Sequence, residues 1–454
     1  MKTRLLTVLM CLMVAISSFA QSGTTGNLTW TFNETTGELK IEGTGEMPDY
    51  SVLYGQIPWY DYRTSIKSIS ISDEITSIAN RAFKECYYLE SIIIPNLVTS
   101  IGDEAFSSCW HLADITIPNS VITIADAAFS FCSSLANVTL SNSLISIGKS
   151  AFSGCVSLTS ITLPNSVTSI GDYTFSSCWS LASITLSNSL TSIGERAFSF
   201  CSSLTRITLP DSVTTIGDAA FYECDYLESI TLPNSVTTIG EGTFSFCCSL
   251  ASITLPNSVT SIGEWAFSYC ESLSSIILPN SVTTIGRNAF FSCGSLANIT
   301  LPNSVTSIGN YVFSWCNSLK EMKVFWSTPL EITEEVFGFP FKDCTLYVPA
   351  GTKSLYEKAA GWKEFGTIIE RGGTNIDTPE TTSRIYISGN TLYIDTPIAE
   401  TISIYSIKGE LLYSFEKSAG EASFSLNNTE NQILIVKTSS GQNKKVINSI
   451  NLGI

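Results

Sequence analysis

The chain has 454 residues, of which 44% are hydrophobic and only 14% charged, and its formal net charge is −16. Such an acidic balance argues against nucleic acid or an anionic membrane as partner, because both are met by Lys/Arg patches. Low charge with this much apolar content does not fit disorder, and a length beyond one ordinary domain fits either several domains or a repeat array.

In chain order, residues 1–20 read as a secretory signal. Lys2 and Arg4 precede the apolar run Leu5–Ile16, and Ser18-Phe19-Ala20 forms a small-x-small cleavage site. The apolar run is shorter than the roughly 20 residues that span a bilayer, so no membrane insertion of the mature chain is expected. Residues 21–62 form an N-terminal cap. It has strand-like runs at Leu28–Phe32 and Glu38–Glu42 around a turn at Thr35–Gly37, with Trp59-Tyr60 ahead of the first repeat.

From residue 63 to 325 one pattern returns every 23 residues. Eleven cysteines, from Cys86 to Cys316, keep that spacing without insertion, each with a phenylalanine three residues before it and a leucine three after. A fixed period of this size is the mark of a solenoid, in which each coil stacks on its neighbours. In the coil Leu158–Leu181, Leu158, Ile161, Leu163, Val167, Ile170, Phe175 and Cys178 hold columns that are apolar throughout the array. Strand alternation turns Ile161 and Leu163 inward and Ser160 and Thr162 outward. Pro164-Asn165 ends the strand, since proline offers no ladder N–H. Ile170-Gly171 marks a second corner, where glycine is expected to supply a left-handed backbone. Ser141 and Ser187 stand in for the proline, Ala79 and Ala125 for the glycine.

Residues 326–370 make a C-terminal cap, with Leu346–Pro349 as the expected last strand, Thr352–Gly361 as a short helix, and Trp362 and Phe365 as plugs. Residues 371–383 have linker composition. Seven short strands between 384 and 454 read as a small antiparallel β-sandwich. The expected fold class is mainly β: a solenoid of about eleven to twelve 23-residue coils with terminal caps, then the sandwich.

The motif LxxIxLPxxVTxIGxxAFxxC, repeated across residues 63–325, resembles the leucine-rich repeats of the BspA-like bacterial surface proteins. That resemblance implies an exported, secreted or cell-surface recognition and adhesion protein, with protein partners on host matrix or other cells. The C-terminal stretch, with IYSIKGELL in its middle and KKVI near its end, resembles the sorting domain of the Por-type (type IX) secretion pathway and implies a role in sorting.

Parts for catalysis are missing from the sequence. The one histidine, His111, occupies a slot that is mostly serine in other coils. There is no HExxH, CxxC, P-loop or GxSxG, and no carboxylate pair stands out as a glycosidase dyad. No enzyme activity, metal or cofactor is therefore expected. The cysteine column is expected to stay reduced: in-register side chains keep Cβ atoms near the strand spacing, beyond disulfide reach, and buried thiols serve as small hydrophobes.

Two surface features remain. Outward Ser/Thr ladders and a column of asparagines suit strand and turn chemistry, and they also leave glycan binding, and more distantly ice or water ordering, as second readings. Large aromatics decorate variable slots beside the cysteine corner. The candidate partner-binding residues are Trp110, Trp179, Trp265, Tyr269 and Trp315. Variable exposed aromatics suit recognition, and they equally suit packing against the next coil.

Overall fold

The computed structural model describes residues 20–50, 57–338 and 341–371, together with seven strands between Arg384 and Asn448. The signal segment, except Ala20, and the 371–383 linker, except Arg371, lie outside the described residues, as does Lys408-Gly409, which reads in the sequence as a hairpin turn between two strands. Chain contacts divide the molecule into two units, Met1–Gly372 and Gly373–Ile454.

The first unit is a β-solenoid of about 13 coils of about 23 residues. It starts with an antiparallel hairpin, β1 (Ala20–Thr25) on β2 (Leu28–Asn33) on β3 (Glu38–Gly43). β3 then pairs in parallel with Ser68–Ile71 and starts the first of two parallel ladders. In a typical coil the first ladder uses a three-residue strand such as Ser160–Thr162, paired one-to-one with Ser183–Thr185. The second uses a two-residue strand such as Ser169–Ile170, paired with Ser192–Ile193. Both caps extend the first ladder, which brings the coil count slightly above the sequence expectation. Leu346–Pro349 is not the last strand: Thr345–Val348 pairs with a further strand, Thr367–Glu370, that carries weak period in sequence. The short helix spans only Lys353–Tyr356.

The third side of each coil has no strand, yet it is as fully hydrogen-bonded. Its amides alternate in direction. Those of Tyr173, Phe175 and Ser177 donate forward to carbonyls of Glu195, Ala197 and Ser199 in the next coil, whereas those of Ser176 and Cys178 donate back within the turn to Tyr173 and Phe175. Two left-handed residues four apart produce this alternation in every coil, for instance Tyr173 and Ser177, both at φ 59°. Most of these slots hold residues other than glycine, a conformation that costs an L-residue about 1–2 kcal/mol. The expected left-handed glycine at the Ile-Gly corner is a correction. Gly217 is not left-handed, and it is required because a Cβ there would lie 2.5 Å from the backbone N of Glu195 and C of Gly194. Coils touch backbone to backbone at that corner.

The interior is built from stacked identical side chains. From Phe106 to Phe313, ring centroids of successive phenylalanines lie 5.2–5.8 Å apart, with planes within 14° of parallel. Trp59 closes the stack at one end, 5.9 Å from Phe83, and its Nε1 donates to the Ala82 carbonyl at 2.7 Å. At the other end Phe337 meets Phe341, Trp362 and Phe365. The aromatics thus cover the apolar column that an open solenoid would leave in water. In the two coils lacking proline, the hydroxyl oxygens of Ser141 and Ser187 accept the N–H two residues on, at 3.0 and 3.1 Å, and so form the turn by other means.

The eleven column cysteines are free and buried, as are Cys344 and, to half its surface, Cys248. Ten of them, Cys109 to Cys316, donate their S–H to the phenylalanine carbonyl of the preceding coil at 3.1–3.3 Å. The column is thus a row of donors as well as of small hydrophobes.

The described residues of the second unit form two antiparallel sheets. Arg384–Ser388, Thr391–Thr396 and Gly420–Ser425 form one; Leu411–Lys417, Glu400–Ser406, Gln432–Thr438 and Asn443–Asn448 form the other. Each strand lies within two residues of an alternating run in the sequence, at Ile385–Ile387, Thr391–Asp395, Thr401–Ile407, Glu410–Phe415, Glu421–Leu426, Ile433–Thr438 and Lys445–Asn448.

Candidate functional site

The coil that orders the interior also sorts what reaches the surface. On the strandless side, the phenylalanine and cysteine point inward, and the side chains just before and after the cysteine point out. The residue one before the cysteine and the residue five before it are the left-handed pair. Neither slot is needed for core packing, so both accept large side chains. The slot two before the cysteine differs: it holds serine in most coils, all but Ser153 of these serines are buried, and three pairs bond across coils, Ser107 with Ser130 at 2.9 Å, Ser176 with Ser199 at 2.9 Å and Ser245 with Ser268 at 2.7 Å.

This corner carries a continuous aromatic stripe across five successive coils. Phe200 meets Tyr222 at 5.5 Å, Tyr222 meets Phe246 at 5.7 Å, and Phe246 stacks on Tyr269 at 4.3 Å with planes 10° apart. Tyr269 and Trp265 then both contact Phe291, at 5.4 and 5.9 Å. All six rings are half-buried. At strand spacing the stripe is about 19 Å long. Of the five candidates from sequence, the structure therefore unites Trp265 and Tyr269 in one cluster. Trp110 stands separately, tilted over Tyr87 at 4.3 Å, beside a second pair formed by Tyr88 and His111 at 5.0 Å. Trp179 and Trp315 are exposed and outside the stripe. Trp315 borders a cavity of about 200 Å³ at the end of the regular repeats, with Asn317, Lys320, Lys342 and Phe341.

Phe200 and Phe246 were not among the five candidates, and neither were Tyr222 and Phe291. The signal for the latter two was present: they are the two breaks in a column that is otherwise serine from Ser107 to Ser314. An aromatic ring has no room in that buried slot, so it turns outward and bridges its neighbours.

Carboxylates flank the stripe. Asp218, Glu241 and Glu264 stand on one side, six residues before their cysteines; Asp225 and Glu271 stand on the other, one residue after. Burial pushes the Asp225 carboxyl above its ordinary range, and burial together with Glu223 does the same for the Tyr222 hydroxyl. Cys248, between Asp225 and Glu271 in the same column, is raised by burial first and then by its acidic neighbours.

The hydroxyl columns are differently occupied. The serines after Pro-Asn at Ser166, Ser235, Ser258, Ser281 and Ser304 donate to a carbonyl of the preceding coil, as Ser258 does to Val236 at 2.6 Å, whereas the buried Ser120 hydroxyl has no such partner. Thr191, Thr214 and Thr260 likewise donate to Thr168, Thr191 and Thr237 at 3.0–3.2 Å. Asn119 and Asn165 accept the amide of the next asparagine. These columns hold coil to coil. Only the Ser160/Thr162 columns of the first ladder keep a plain exposed row. Among the described residues, no group of three His, Cys, Asp or Glu side chains is set to hold a metal ion, and no helix is long and apolar enough to cross a membrane.

A profile of the BspA type leucine rich repeat region matches residues 59–179, 145–270 and 237–359, with six copies. Among solved structures, a leucine-rich repeat protein from Bacteroides ovatus is 28% identical; the match covers 72% of this chain and 99% of that one, with a TM-score of 0.53. A leucine rich cell surface protein from Faecalibacterium prausnitzii is 27% identical over 78% of this chain and 95% of that one, TM-score 0.44. The pneumococcal vaccine antigen PcpA is 21% identical over 79% and 100%, TM-score 0.39. No curated protein matches the chain. Repeat register, inward columns and a profile match running from residue 59 to residue 359 agree, and the chain belongs to the BspA type leucine rich repeat family.

Proposed function

We propose that this protein is an exported recognition and adhesion module that docks protein partners on the strandless corner of its coils. The observation that carries the reading is the aromatic stripe from Phe200 to Phe291, built at slots the fold leaves free to vary. Large rings at such slots concentrate binding energy in few residues. Trp110, Trp179 and Trp315 would extend the same corner towards either end. Membership of a repeat family whose relatives include a named cell-surface protein supports a place outside the cell, and the acidic chain argues against nucleic acid. The second unit would serve export or anchoring, in keeping with its likeness to a sorting domain.

Binding of the full chain to purified matrix proteins, read by surface plasmon resonance, tests the docking reading. Phe246→Ser with Tyr269→Ser should weaken the tightest interaction found by at least about tenfold, a loss of about 1.4 kcal/mol. Serine already fills the Phe246 slot in other coils, as Ser177 does, so the coil should still fold. Thr162→Val with Thr185→Val should leave affinity unchanged. Tolerant aromatics with sensitive threonines would move the site to the first ladder and favour glycan recognition.

A further inference from the structure

Resting on that docking reading, we infer that the segment received by the stripe is cationic: an extended polypeptide bearing Lys or Arg side chains. Between Arg206 and Arg287 the chain holds eight Asp or Glu residues and no Lys, Arg or His. The stripe lies within this interval except for its two end rings, Phe200 and Phe291. Of the eight carboxylates, Glu228 meets Arg206 on the strand side at 3.4 Å. Those beside the stripe have no cation of this stretch to face.

Elsewhere on the same corner three carboxylates have cationic partners, whereas Asp103 and Asp126, like Asp218 beside the stripe, accept only the amide of the next coil. Glu104 lies between Arg81 and Lys84, Glu85 faces Arg63 at 3.3 Å, and Asp172 faces Lys149 at 2.9 Å. Of the two arginines that bracket the stripe, Arg196 lies by Tyr173 at 5.9 Å and Glu195 at 3.9 Å, near enough to the end of the stripe for its charge to be felt at the Tyr222 hydroxyl, and Arg287 lies by Tyr311 at 5.8 Å. The result is a row of aromatic faces between two acidic margins, Glu241 and Glu264 on one side and Asp225 and Glu271 on the other. Ring faces attract a cation through their quadrupole, and the margins attract it through charge. A Lys or Arg chain can bury its methylene stem on the rings and keep its head at the carboxylates. An acidic segment would meet repulsion at both margins, and a neutral one would leave the carboxylates without a counter-charge.

Fluorescence anisotropy of the full chain with labelled decalysine, decaarginine, decaglutamate and a Gly-Ser decapeptide at 150 mM NaCl tests this. The two cationic probes should bind saturably, and the other two should not. Phe246→Ser with Tyr269→Ser, which changes no charge, should weaken cationic binding at least tenfold. So should Glu241→Asn, Glu264→Asn, Asp225→Ser and Glu271→Ser combined, changes that place residues found in these slots in other coils. Asp103→Asn with Asp126→Asn, remote from the stripe, should leave binding intact. No saturable binding of either cationic probe overturns the inference. Binding that ignores the rings and falls equally with carboxylates anywhere overturns it too, as diffuse attraction. If the cationic probes fail while the ring variants still lose binding to a matrix protein, docking on the stripe stands and only its cationic character falls.

Discussion

Raising the pH from 8 to 11 should unfold the repeat array, and the cysteine column should be the cause. Burial holds the thiols of Cys155, Cys178, Cys201, Cys224 and Cys247 well above their ordinary range, Cys178 at about 12. In the unfolded chain a thiol ionises near pH 8.5. The folded state therefore favours the protonated form. Its advantage is complete below about pH 8.5 and is lost as pH rises towards the folded value. Each such thiol costs about 1.4 kcal/mol per pH unit in that window, so five together cost about 7 kcal/mol per unit, against typical total stabilities of about 5–15 kcal/mol. Circular dichroism should show cooperative loss of structure between about pH 9.5 and 11. Cys178→Ala should reduce the slope of stability against pH by about one thiol's share, even though it loses the S–H bond to Phe152. Native dichroism at pH 11, or thiol labelling of the column at pH 9.5 in a protein still folded, would show that ionisation is not tied to unfolding.

The second large effect is expected from Phe198→Ala. The ring is fully buried and stacks at 5.6 and 5.5 Å on Phe175 and Phe221. Its loss removes apolar burial and leaves a cavity that neighbours fixed by two ladders cannot collapse into, so the cost should be about 3–5 kcal/mol. Because coils touch only their neighbours, the damage should be local. Hydrogen exchange should quicken most in the coils on either side and least near Trp59 and Trp362. A urea midpoint that moves by less than the equivalent of about 1 kcal/mol would mean the stack is redundant.

Much of this architecture is legible in residues because each column repeats one physical choice. Phe, Cys, Leu and Ile at fixed intervals announce an inside, and Trp59 and Trp362 announce its ends. What could not be read came from geometry that residue types do not mark. Most left-handed slots are filled by residues such as Tyr173, Phe246 or Trp265, none of which signals a positive φ, whereas the glycines of the Ile-Gly corner are there for close approach. The thiol's hydrogen bond is likewise invisible, since a buried cysteine reads as a hydrophobe whether or not its proton is directed. At the candidate site, Trp265 and Tyr269 were recognisable as unusual. That they share a cluster with Tyr222 and Phe291 depends on inter-coil offsets that only the structure supplies.

The direction of the inter-coil bonds has a mechanical consequence. They lie along the axis of the repeat unit, while the polypeptide runs across it. Tension applied through residues near Trp59 and Trp362 is therefore borne by coil-to-coil contacts in series, and the weakest contact yields first. Each coil that lets go frees 23 residues, roughly 75–80 Å of extended chain. A load would then be met by stepwise lengthening, with the remaining coils still folded and their corner still presented.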